Sequence, residues 1–191
     1  MQLPPFHVLT GGPGSGKSSL LATLGQAGHS IAEEAGRAII RDQQSIDGAG
    51  LPWREANLFA ELMLAWELRA HRQALRLQRP VFFDRSLVDV IGYLRLNDLP
   101  VGTHLLRAAR QVRYQPQVFL LPHWPQIYCN DAERRQDTAD AERTAEVMRE
   151  VYTEFGYQII DMPLANLEQR RDFVLRCCGL KPAPGCGNAP V

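Results

Sequence analysis

GGPGSGKSS, Gly11 to Ser19, follows the apolar run FHVLT at 6–10 and decides how the rest of the chain is read. Gly11-x-x-x-x-Gly16-Lys17-Ser18 is a complete Walker A pattern. Glycines at these positions let backbone N–H groups turn inward without a Cβ in the way. Those amides and the positive end of the following helix make a nest for anions. The reading is therefore a buried strand over 6–10, a phosphate loop, and a helix over 17–26. Gly11, Gly12, Pro13, Gly14, Ser15, Gly16, Lys17, Ser18 and Ser19 become the candidate nucleotide-binding residues. Lys17 would reach the outer phosphates, and Ser18 would ligate Mg²⁺.

Lys17 stands out against its background. The chain has 19 Arg and only Lys17 and Lys181 as lysines. A compact ammonium at this one position fits a phosphate better than a planar fork does. The lysine is expected to face solvent or phosphate.

A phosphate loop needs an acid at the end of a neighbouring strand to hold Mg²⁺ and its waters. Asp84, closing PVFFD at 80–84, has that context. It is the second candidate metal ligand beside Ser18, and the two strands are expected to be neighbours.

Further strands are read at 29–32, 117–122 and in YQIIDMP (157–163), and helices at 33–44, 53–78, 103–113 and 138–155. Ser86 and Asp89 have capping-box spacing and start a helix whose core stripe is Leu87, Ile91 and Leu94. Asn166 caps a last helix. Strands alternating with helices imply an α/β three-layer sandwich of the P-loop kinase type, a five-stranded parallel sheet with helices on both faces. One domain covers 1–179, with a candidate lid at 123–137 and a Pro/Gly-rich tail at 180–191.

Composition excludes several classes. The 191 residues carry 21 basic and 21 acidic side chains, a formal net charge of zero, so no nucleic-acid partner is expected. No apolar run is long enough to span a membrane, and the start lacks secretory features, so a cytoplasmic location is expected. The four cysteines have no zinc spacing. Asn-Lys-x-Asp, which reads guanine, is absent, as is Leu-Ser-Gly-Gly-Gln of transporter ATPases. ATP is the expected nucleotide.

TGGPGSGKSS (10–19), EEAGRAII (33–40), VFFDRS (81–86) with Asp89 and Gly92, and PHWPQIYCNDAERRQD (122–137) together resemble the small AAA-type predicted ATPases. That family is similar to the ribosylnicotinamide kinase domain of NadR. Ser19 stands where such loops often carry Thr, and Ser86 where Gly is common. The resemblance implies a P-loop fold, ATP with Mg²⁺, and a small-molecule acceptor whose identity it leaves open. It places Arg85 facing the transferred phosphoryl or the acceptor, against an ordinary pairing with a nearby carboxylate. Glu34 and Arg37 fall in its motif. Glu34 could orient or deprotonate an acceptor hydroxyl, and Glu34, Arg37 and Asp89 are the acceptor-site candidates. The alternative is dipole-complementing acids and a surface pair in a first helical turn. Arg134 and Arg135 are candidate lid arginines that neutralise charge on a moving phosphoryl.

Lys17, Asp84, Arg85, Glu34, Arg134 and Arg135 form the candidate catalytic set of a Mg²⁺-dependent phosphotransferase acting on a small hydroxyl-bearing metabolite such as a nucleoside. The alternative is a slow ATPase or nucleotide switch that signals to a protein or membrane partner.

Overall fold

The computed structural model describes residues 3–122, 124 and 138–181. Arg134, Arg135 and all of the 123–137 segment except Trp124 lie outside the described residues, as does the tail from 182 onward.

The first strand, β1 (Phe6–Gly11), is buried along its whole length. The phosphate loop leads into α1 (Lys17–Gln26). Then come β2 (Ser30–Ala32), α2 (Ala35–Ser45), α3 (Ala56–Leu75) and β3 (Val81–Asp84). The chain continues through α4 (Leu87–Leu96), α5 (Thr103–Gln111), β4 (Gln117–Leu121), α6 (Thr138–Glu154), β5 (Gln158–Asp161) and α7 (Leu167–Cys177). The five strands form one parallel sheet in the order β2-β3-β1-β4-β5.

Successive strand residues point to opposite faces, and both faces are covered. Phe6, Val8, Val81, Phe83, Val118 and Leu120 join a core shared with α2 to α6. Leu9, Phe82, Phe119 and Leu121 join a second core under α1 and α7. The expected sandwich is what forms.

Element ends moved by a few residues, each for a local reason. The helix read at 33–44 starts at Ala35, because Glu34 is extended (φ −61°, ψ 123°) and serves as the N-cap. The helix read at 53–78 covers only 56–75. Its front end is lost to a turn in which the Arg54 and Glu55 amides both bond to the Leu51 carbonyl. The helix read at 103–113 ends at Gln111, since Val112 turns extended. Both expected caps are made: Ser86 and Asp89 form a full capping box on α4, and Asn166 with Gln169 forms one on α7.

Candidate functional site

The site begins at the loop between β1 and α1. Gly14 and Gly16 both have φ 75°, a conformation that L side chains adopt only at a cost. No side chain caps α1, so its first amides stay open toward the loop. Gly12 is required for another reason: a Cβ there would sit 2.7 Å from the Ala141 carbonyl oxygen of α6. Residues 12–19 line a cavity of about 1120 Å³, with Ser18 and Ser19 exposed to it. Gly11 does not line it. It ends β1 opposite Leu121, where a Cβ would lie 2.4 Å from the Leu121 carbonyl oxygen.

Strand register brings the acid to the loop. Leu9 pairs with Asp84, so β3 ends beside the start of the phosphate loop, as expected. Lys17 lines the cavity beside the loop. It is 6% exposed and forms an ion pair with the Asp84 carboxylate. Burial, and then Arg85, lower the pKa of the lysine, and burial raises that of the aspartate. Each partner is thus drawn toward its neutral form, as desolvation dictates.

Across the cavity lies a second cluster. Arg85 follows β3 at φ 72°, a strained backbone for a non-glycine residue. Its Nε donates to Glu34 Oε1 and its Nη1 to Asp89 Oδ1, both at 3.3 Å. Arg37 Nε reaches the other Glu34 oxygen at 3.2 Å, with its side chain half exposed. Burial pushes Glu34 up, but Arg85, Lys17 and Arg37 outweigh it and hold its carboxyl below the usual carboxylate range. Burial lowers Arg85, but Asp89, Glu34 and Asp84 keep its guanidinium charged.

Asp89 is engaged on every side. Oδ1 accepts from the Thr10 hydroxyl as well as Arg85, and Oδ2 from the Ser86 amide at 2.9 Å and the Tyr152 hydroxyl. Ser86 Oγ shares a 2.7 Å hydrogen bond with that Tyr152 hydroxyl and accepts from the Val88 amide. Asp89 therefore ties β1, α4 and α6 together and orients Arg85, while still lining the cavity. With its acceptor sites filled, its geometry is that of a positioning group.

Of the residues read from sequence, the fold gathers the loop, Lys17, Ser18, Glu34, Arg37, Arg85 and Asp89 around one cavity. Asp84 lies behind Lys17. Arg134 and Arg135 lie outside the described residues. Trp124 has its ring 5.7 Å from the Arg170 guanidinium. Arg170 is buried and donates to the Ser15 carbonyl at 3.0 Å, bracing the phosphate loop from α7.

Four contributors escaped the sequence reading. Thr10 and Tyr152 carry no local signal, because their role exists only once β1, α4 and α6 meet. Arg143 lines the cavity from α6. Glu67 had a signal: it stands at helical spacing among Phe59, Met63 and His71, an acid within a buried stripe. It is 3% exposed and lines the cavity. Burial, then Asp89 and Asp84, raise its pKa well above the ordinary carboxylate value.

The sequence pattern of the AAA domain family matches residues 6–170. No curated protein matches by sequence. The fold is similar to deoxyadenosine kinase from M. mycoides, solved with dCMP and dCDP. The identity is 15% and the TM-score 0.65, over 91% of this chain and 98% of that one. It is similar to NadR in complex with NR, at 15% identity and a TM-score of 0.70. That match covers 94% of this chain and 52% of NadR, so the chain spans about half of NadR's length. Thymidylate kinase from Ehrlichia chaffeensis matches at 12% identity and a TM-score of 0.62, over 94% of this chain and all of that one. The Walker A loop, the strand order that sets Asp84 beside it and the match over 165 consecutive residues agree: this chain belongs to the AAA domain family and has the fold of the P-loop kinases.

Proposed function

We propose that the protein is an ATP- and Mg²⁺-dependent phosphotransferase that acts on a small hydroxyl-bearing metabolite, such as a nucleoside. One observation carries this reading. The phosphate loop and the Glu34–Arg85 pair line the same cavity of about 1120 Å³, which continues into an apolar chamber among α2, α3 and α4. A protein that only binds or slowly hydrolyses a nucleotide needs the loop and not the chamber. The nucleosides and nucleotides in the names of the structural relatives support the acceptor class.

The donor set fits Mg²⁺. Ser18 offers a hydroxyl and Asp84 a carboxylate, hard oxygens of the kind Mg²⁺ takes beside phosphate and water. When bound, the ion would neutralise charge between the outer phosphates. The chain's own residues do the rest. The loop amides hold the phosphates. With a nucleotide present, Lys17 would turn from Asp84 to a phosphate oxygen, and the Asp84 carboxylate and Ser18 hydroxyl are the groups that would hold the ion. Glu34, held ionised by Arg85 and Arg37, accepts the acceptor's hydroxyl proton or orients that hydroxyl. Arg85, locked by Glu34 and Asp89, presents positive charge where the moving phosphoryl needs it. Arg134 and Arg135 are proposed to add charge from the 123–137 segment.

ATP turnover measured with and without a panel of nucleosides, with phosphorylated product followed by mass spectrometry, tests the reading. The expected result is turnover stimulated by an acceptor, with one phosphorylated product per ADP. Turnover that ignores every acceptor, with release of phosphate alone, would replace the kinase reading with the ATPase or switch.

A further inference from the structure

The chamber among α2, α3 and α4 has apolar walls. Ile40, Phe59, Met63 and Leu96 line it, and the rings of Phe59 and Tyr93 meet edge to face at 5.4 Å. Apolar and aromatic walls of this kind suit an aromatic ring. Two polar residues that line it, Tyr93 and Glu67, have no hydrogen-bond partner among the described residues. The Tyr93 hydroxyl is buried. Glu67 is 3% exposed, and its carboxyl makes no hydrogen bond or ion pair with a described residue. Two other carboxyls that line the cavity are taken: the half-buried Glu34 by Arg37 and Arg85, and the buried Asp89 by four donors. A buried carboxyl without a donor is costly, and helix α3 would be more stable with Leu or Met at this place on its stripe. A ligand that brings the donor removes that cost at the moment of binding.

We infer that Glu67 is the specificity-determining residue of the acceptor pocket, and that its carboxyl accepts a hydrogen bond from an exocyclic amino group on a flat heteroaromatic ring held against Phe59 and Met63. The inference rests on the kinase reading only for the word acceptor, because ring binding is measurable without transfer. A carboxyl oxygen accepts from an amino N–H whether or not the acid is ionised, so the contact does not depend on its charge. A site built to bond an N–H rejects the analogue that lacks it, because the site's own buried polar group is then left unpaired.

The test compares nucleosides that differ only by the amino group: adenosine with purine riboside, and cytidine with its 4-deamino analogue. Binding to the whole chain is measured by calorimetry, and phosphoryl transfer from Mg·ATP is followed in parallel. At least one amino-bearing member is expected to bind about tenfold or more tightly than its deamino partner. Glu67→Leu should shrink that ratio to about twofold or less. Glu67→Gln, whose amide oxygen still accepts, should keep part of it. A purely structural Glu67 would weaken both members of a pair alike. Equal binding of both members by the unaltered protein overturns the inference, with no variant needed. So does a ratio that survives in folded Glu67→Leu, or no binding of any of the four. Selective binding without transfer sinks the kinase reading and leaves this inference standing; transfer without selectivity does the reverse.

Discussion

Lys17 and Asp84 give the site a built-in exchange. Each is the other's partner in the buried pair, and each has a second candidate partner in the ligand. Lys17→Ala is expected to abolish nucleotide binding. Because it also strands the Asp84 carboxylate in a buried place, it should cost about 1–3 kcal/mol of stability. Adding Asp84→Asn should return part of that loss in urea unfolding; no recovery would mean that the pair is not what holds the two side chains. Glu34→Gln separates chemistry from binding. It keeps the shape and removes the proposed base, so turnover should fall by about 10²- to 10⁴-fold while ATP affinity changes little. A parallel fall in affinity would place Glu34 on the nucleotide instead. Glu67 predicts a pH dependence. Its pKa is raised in the fold by burial and by Asp89 and Asp84, while in the unfolded chain it ionises in the ordinary carboxylate range. The folded state therefore holds the proton longer. The protein should lose stability as pH rises above that ordinary range, until the raised folded pKa is passed. Glu67→Gln removes this loss, so its stability relative to the parent should grow in urea titrations as pH rises above the ordinary carboxylate range. A constant difference as pH rises would contradict the shift.

Two helices carry the same capping chemistry with different consequences. Asn166 caps α7 at an exposed end, accepting from the Gln169 amide at 2.9 Å. Ser86 caps α4 inside the core and also bonds the buried Tyr152 hydroxyl. Asn166→Ala should cost about 1 kcal/mol and leave turnover unchanged. Ser86→Ala should cost about 2 kcal/mol, since a cap and a buried partner go together. It should also lower turnover, because the same few atoms orient Asp89 and through it Arg85. Chemical unfolding and steady-state turnover measured on both variants decide this. Equal effects on turnover would break the proposed link from cap to Arg85.

The whole molecule is one sheet between two cores. Neighbouring residues of β3 face different cores: Phe82 packs with α1 and α7, and Phe83 with the opposite layer. The sheet couples the cores, so unfolding should be a single cooperative transition. The side chains themselves do not meet across the backbone. Phe82→Leu and Phe83→Leu should each cost about 1 kcal/mol, and the double variant should cost their sum to within about 0.5 kcal/mol. A larger deviation in urea unfolding would show that strain crosses the sheet.

The phosphate loop, the acid at the end of VFFD, the alternation of strands and helices and both helix caps were legible from sequence. Each depends on near neighbours: a glycine spacing, an apolar run, a Ser or Asn three residues before its partner. Composition and periodicity also sufficed for the parallel sheet, since runs such as QVFLL are apolar on both faces. What needed the tertiary structure was everything made across the sheet. Asp84 reaches Lys17 because β3 lies beside β1 at a particular register. Arg85 joins Glu34 across 51 residues, and Asp89 joins Thr10 across 79. Glu67 could be seen as an acid out of place, but not as a wall of the cavity. A short-range pattern reports how a segment folds; the meeting of charges from β1, α2, α3, α4 and α6 is decided by packing, where burial removes water and makes each carboxylate depend on the partner that the fold brings to it.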